Sequence, residues 1–181
     1  MSNTNQTEDD ELLPYMRFIL RRRRDLIGKP TPIVPFADWD FYYTLQKLDW
    51  ADKAEKTSSL KSVTVPKGFV TDLASIPRAL WAILPRQALY TYPAIVHDFL
   101  YWFQPCTRDE ADEILRLGMA QLGVSSATAL AIFQSVRALG GGPWKTNAEL
   151  RAAGERRILR KFPTDYTTTW SAWKQIPDVF A

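Results

Sequence analysis

The spacing of hydrophobic residues changes character near residue 70, and that change decides which folds are open to the chain. Before it, short aromatic and β-branched runs alternate as strands do. These are Phe41-Tyr42-Tyr43-Thr44-Leu45, Ser62-Val63-Thr64-Val65, and Phe69-Val70 after a Lys67-Gly68 turn. After it, capping residues cut the chain into helix-length pieces. Ser75, with Pro77 in the first turn, starts a helix towards Leu84, and Pro93 opens a second through Phe103. Thr107 with Glu110 three residues on is a capping box for a third, ending near Leu122. Ser125 or Ser126 starts a fourth that ends at Leu139, with Gly140-Gly141-Gly142 as its stop, and Asn147 begins a fifth, basic helix ending near Phe162. The expected class is α+β: a predominantly helical domain with a helix hairpin, plus a small N-terminal antiparallel sheet or two hairpins.

The ends differ from the middle. Residues 1–11 are polar, Leu12 to Leu26 is amphipathic, and Pro30, Pro32 and Pro35 break any helix. We therefore expect a partly disordered arm over 1–35, one domain over 36–162 and a tail over 163–181. The chain has 181 residues and is 46% hydrophobic, enough for a real core. Seven tryptophans is a high number for this length. Trp39, Trp50, Trp170 and Trp173 line a groove or an interface, or else belong to an aromatic core with half-exposed edges.

Several function classes are disfavoured. The net charge of +3 is mild, and the basic runs Arg21-Arg22-Arg23-Arg24 and Arg151 to Lys161 read as solvated helix faces or as patches for an anionic surface. No nucleic-acid signature accompanies them, so nucleic acid is not an expected partner. One cysteine, Cys106, allows no internal disulfide, and one histidine allows no multi-histidine zinc site. Ser2 to Glu11 holds no apolar secretion core and no run of 18 apolar residues occurs, so neither a signal peptide nor a transmembrane segment is expected, and the chain reads as made in a reducing cytoplasm.

The chemistry concentrates in three segments. On the second helix, His97 and Tyr101 are four apart and share a face, while Asp98 points roughly 100° away around the axis. That suits His97 as general base for a water and Asp98 as ligand to a hard cation. In the third helix Asp112 begins an apolar stripe with Leu115 and Met119. If the two helices form an antiparallel hairpin, it faces His97 and can hold the imidazole tautomer; otherwise it pairs with Arg108 or Arg116 within its own helix. Finally, Asp72 in Thr71-Asp72-Leu73-Ala74-Ser75-Ile76-Pro77 sits between a strand and a helix start, where it either holds an ion with backbone carbonyls or caps the helix. Cys106 has no evident activating surroundings, Ser75 has no nucleophile elbow around it, and the glycine run lacks the Lys-Ser/Thr of a phosphate loop.

Together, Thr71 to Arg78, His97-Asp98-Phe99-Leu100-Tyr101, Arg108 with Ala111-Asp112, and Gly141-Gly142-Pro143-Trp144 resemble an uncharacterised family frequent in phages and prophages, over roughly residues 36 to 145. A His-Asp-x-x-Tyr helix followed by an Arg-x-x-Ala-Asp helix is also similar to phospholipase A2, particularly its compact bacterial and fungal forms. That resemblance implies His97 as the base that activates water, Asp112 as its support, Tyr101 as the residue steadying both, and calcium on Asp98. Asp72 and the Leu73 carbonyl would match further calcium ligands. The chain departs from that family in lacking disulfides, in its strand-rich part before residue 70, and in the shorter spacing from His97 to Asp112. The expected activity is thus calcium-assisted hydrolysis of phospholipid esters at a membrane surface. The alternative is a non-enzymatic phage or prophage accessory protein, virion-associated or delivered by a secretion apparatus, that acts through a protein partner.

Overall fold

The computed structural model describes residues 32–52, 60–73 and 90–181. The expected helix from Ser75 to Leu84, and the arm up to residue 31, lie outside the described residues. Within them the chain is α+β, with five strands and five helices. Strands β1 (Ile33–Pro35), β2 (Tyr42–Thr44) and β5 (Val70–Thr71) form an antiparallel sheet in the order β1-β2-β5, and β3 (Leu48–Ala51) pairs with β4 (Ser62–Val65) in a second. The alternation predicts a small antiparallel sheet or two hairpins, and the chain forms one three-stranded and one two-stranded antiparallel sheet. Strand β3 goes unread because its apolar positions, Leu48 and Trp50, are interleaved with Asp49 and followed by a charged run; both side chains are fully buried.

The helices are α1 (Thr91–Phe103), α2 (Arg108–Gln121), α3 (Ser126–Leu139), α4 (Gly141–Ala152) and the single turn α5 (Trp170–Trp173). The Thr107–Glu110 capping box forms as expected, and the Ser125 hydroxyl accepts from the Thr128 amide at the start of α3. No helix among the described residues is long and apolar enough to cross a membrane.

The expected fifth helix needs correction. Helix α3 does end at Leu139, but the glycines do not open a loop: Gly141, Gly142 and Pro143 are the first turn of α4, which ends at Ala152 and not near Phe162. Proline is tolerated in a first turn because the amide it lacks has no partner within the helix. The true stop is Gly154, left-handed at φ 93°, where the Gly154 amide donates to Arg151 and the Glu155 amide to Leu150, as in a Schellman motif.

Helix α1 runs through the centre. Ten of its residues are buried, from Thr91 to Trp102, because the sheets, α2 and α4 all pack on it. Its last turn closes with Gln104 in the left-handed region (φ 52°), and α2 then folds back along it. The antiparallel course is read from the pairing: Asp112 reaches His97, whereas Gly118, further along α2, lies against Pro93. Around this pair sits the larger core, with Leu48, Trp50, Val65, Phe69, Ile95 and Ile114 among its buried members. The Trp50 indole N–H donates to the Gln121 side chain (2.9 Å), tying β3 to α2.

A second core gathers Phe36, Tyr43, Val70, Leu159 and Trp170. It takes in residues on both sides of 36–162. Ile33–Pro35 pairs with β2, Trp170 is buried, and bridges join Phe69 to Ile158 and Leu159 to Phe180. Gly68 makes this closure possible. It adopts φ 86°, and a Cβ there would collide with the Leu159 carbonyl. Of the tryptophans that could line a groove, Trp50 and Trp170 are core, Trp173 is half-buried and Trp39 is exposed.

Candidate active site: a buried histidine–aspartate centre

His97 and Tyr101 stack on one face of α1, with ring centroids 4.1 Å apart. Asp112 of α2 faces both. Its Oδ1 accepts from His97 Nε2 (2.9 Å) and from the Tyr101 hydroxyl (2.6 Å), while Oδ2 lies within reach of the Arg108 (3.4 Å) and Arg137 (3.5 Å) guanidiniums. Arg108 also donates to the Val136 and Arg137 carbonyls at the end of α3, and Arg137 pairs with Asp109. The hairpin thus brings His97, Tyr101 and Asp112 together, and Asp112 also keeps the partner expected within its own helix, Arg108. Pairing with Arg116 does not occur; that residue binds Glu113.

All three central side chains are buried, His97 at 1% exposure and Asp112 at 0%. A buried carboxylate survives only if its lone pairs are taken, and four donors surround this one. Burial alone would raise the Asp112 pKa, but the hydrogen bonds from His97 and Tyr101, with the charge of Arg108, hold it below 3.8. Burial pushes the His97 pKa below 6.5, more than Asp112 lifts it, so the ring is neutral at pH 7. Burial and the Asp112 carboxylate push the Tyr101 pKa up, so its hydroxyl stays a donor. Since an ionised Asp112 only accepts, Nε2 carries the proton of neutral His97, and Nδ1 is the nitrogen that can take another.

Asp98 turns away from this centre, as the helix geometry requires. Its Oδ2 accepts from the Thr71 hydroxyl, whose oxygen in turn accepts from the Leu73 amide (3.1 Å). Leu73 is buried and left-handed at φ 53°, an uncommon conformation for a side chain of that size. The loop carrying Asp72 and Leu73 is therefore fastened to Asp98 through Thr71. Calcium takes six to eight oxygens. The two carboxylates and the Leu73 carbonyl are a compatible but incomplete set, which backbone and water oxygens would have to complete. Among the described residues no three His, Cys, Asp or Glu side chains are grouped as metal ligands.

Cys106 is no nucleophile candidate, because burial and nearby Glu110 push its thiol up to about 11. A groove of about 620 Å³ lies elsewhere, beside the second core, lined in part by Phe36, Trp39, Tyr43, Asp165 and Tyr166. Trp39 is 56% exposed there and left-handed at φ 57°.

Sequence reasoning did not single out Thr71 or Arg137. Thr71 lies in the same segment as Asp72 and could have been found as the hydroxyl beside a buried acid; Arg137 comes from α3, and no local spacing points to it.

The model of a family described as "Protein of unknown function (DUF1353)" matches residues 42–136. The chain belongs to the DUF1353 family. No curated protein and no solved structure matches it. The matched DUF1353 span contains Thr71, Asp72, Leu73, His97, Asp98, Tyr101, Arg108 and Asp112, and ends one residue before Arg137.

Proposed function

We propose that this DUF1353 protein is a hydrolase in which His97 is the general base, and that its substrates are phospholipid esters. The observation that carries the reading is the His97–Asp112–Tyr101 arrangement: a neutral imidazole, its Nε2–H held by an ionised carboxylate that a tyrosine also binds. The resemblance of the His-Asp-x-x-Tyr and Arg-x-x-Ala-Asp segments to phospholipase A2 would give these residues the same roles, which supports the reading. His97 Nδ1 takes a proton from water, the hydroxide adds to the ester carbonyl, and the imidazolium returns the proton to the leaving alkoxide. Asp112 stabilises the imidazolium while it exists. Asp98, Asp72 and the Leu73 carbonyl would hold calcium, which polarises the ester carbonyl when bound. Burial of His97 requires that substrate reach it by a rearrangement of the groups that cover it.

The same burial favours a second reading. A sealed, satisfied polar network fixes helix packing, and the aromatic groove at Trp39 offers a surface to a protein partner. In that reading the chain is a non-enzymatic phage or prophage accessory protein.

Fatty-acid release from phosphatidylcholine and phosphatidylglycerol vesicles separates the two, measured with calcium and with chelator for wild type and His97→Gln. The hydrolase reading expects release that falls by about 10²- to 10⁴-fold in His97→Gln. A folded wild type no faster than His97→Gln in either condition overturns it. Release that is unaffected by chelator overturns the calcium assignment alone.

A further inference from the structure

We propose that Gly140, at the joint between α3 and α4, is a positioning residue that holds the Tyr101 hydroxyl on Asp112. Its backbone is helical, φ −68° and ψ −16°, a conformation open to any residue. Glycine is therefore needed here for room and not for backbone freedom. A Cβ at Gly140 would collide with the Tyr101 hydroxyl, and would lie 3.3 Å from its ring carbon Cζ and 2.5 Å from the Val136 carbonyl oxygen. The tyrosine has little room to retreat. His97 stacks on one side, the Trp144 ring meets it edge-on at 5.0 Å, and Asp112 holds the hydroxyl.

The neighbours in the glycine run give the contrast. A Cβ on Gly141 or on Gly142 meets nothing within 4 Å. The Val136 carbonyl that a Cβ on Gly140 would press also accepts from the Gly140 amide (2.7 Å) and from Arg108 (3.4 Å). One position thus abuts the tyrosine on Oδ1 of Asp112 and the anchor of the arginine on Oδ2.

The protein has one histidine, so a single imidazole signal in a nuclear magnetic resonance spectrum recorded at one fixed pH reports the His97–Asp112 hydrogen bond alone. Losing the tyrosine's hydrogen bond leaves Asp112 a stronger acceptor for His97, so Tyr101→Phe should move the His97 Nε2–H resonance downfield. Gly140→Ala should move it in the same direction and Gly141→Ala should not. Adding Gly140→Ala to Tyr101→Phe should give no further shift. A wild-type resonance in Gly140→Ala, an equal shift in Gly141→Ala, or additive shifts in the double variant would overturn the assignment. Should Gly140→Ala fail to fold, Tyr101→Phe in the same chain should restore folding in part, and no recovery refutes the proposal. Only the activity consequence rests on the hydrolase reading. Vesicle hydrolysis with an unshifted His97 resonance in Gly140→Ala defeats the positioning role, whereas a shifted resonance without hydrolysis by wild type defeats the hydrolase.

Discussion

Replacing Asp112 by asparagine tests the centre directly. The two side chains have the same shape, so packing is kept. The amide oxygen can still accept from His97 Nε2 and the Tyr101 hydroxyl, but the amide NH₂ then faces the Arg108 and Arg137 guanidiniums, donor against donor. Removing one partner from a buried ion pair typically costs about 3–5 kcal/mol. The arginines here lie at 3.4 and 3.5 Å and are partly solvated, so about 2–4 kcal/mol is a fair expectation for Asp112→Asn on the same scale. For a chain of this size each kcal/mol lowers Tm by roughly 2–4 °C, giving a drop of roughly 5–15 °C. The His97 midpoint should also fall, because the carboxylate that lifts it is gone. Thermal denaturation followed by circular dichroism, together with the His97 titration, measures both. A Tm within about 1 °C of wild type, with an unchanged His97 midpoint, would mean that Asp112 is not held as described.

Further outcomes follow from the same structure. His97 titrates near 6.5 when unfolded and lower when folded, so the unfolded chain takes the proton first. Stability should be full above pH 6.5 and decline as the pH falls below it, with a second loss below 3.8 as Asp112 protonates; urea unfolding at stepped pH checks this, and in His97→Gln the first decline should vanish. Thr71→Val removes the donor to Asp98 and the acceptor of the Leu73 amide, so chemical denaturation should show a loss of about 1.5–3 kcal/mol, with Thr71→Ser close to wild type. Gly68→Ala should cost at least about 1 kcal/mol for its positive φ, and more for the clash with the Leu159 carbonyl, while Gly141→Ala in the same assay should be nearly neutral.

What could be read from the sequence was local. The capping box at Thr107, the Ser125 cap and the i, i+4 spacing of His97 and Tyr101 each depend on neighbours within one helical turn, and each appears as expected. The convergence of Asp112 on His97 needed one further assumption, a short hairpin, which the left-handed Gln104 provides. The misreadings came where a local signal had two outcomes. A glycine run can end one helix or begin the next, and Pro143 in a first turn selects the second. Leu48 and Trp50 alternate too briefly among charges to stand out as a strand. Arg137 is remote from Asp112 in sequence, and only the packing of α3 on α2 brings it there.

The bridges from Phe69 to Ile158 and from Leu159 to Phe180 also govern the order in which the molecule can assemble. The α1–α2 pair can form once α2 has been synthesised, because its contacts are close in sequence, and α3 and α4 join it soon afterwards. The second core cannot close until Leu159, Trp170 and Phe180 have been synthesised, so Phe36, Tyr43 and Val70 wait until then with apolar surface uncovered. During that interval the exposed strands, and not the histidine centre, are the part of the nascent chain that a chaperone would be expected to hold.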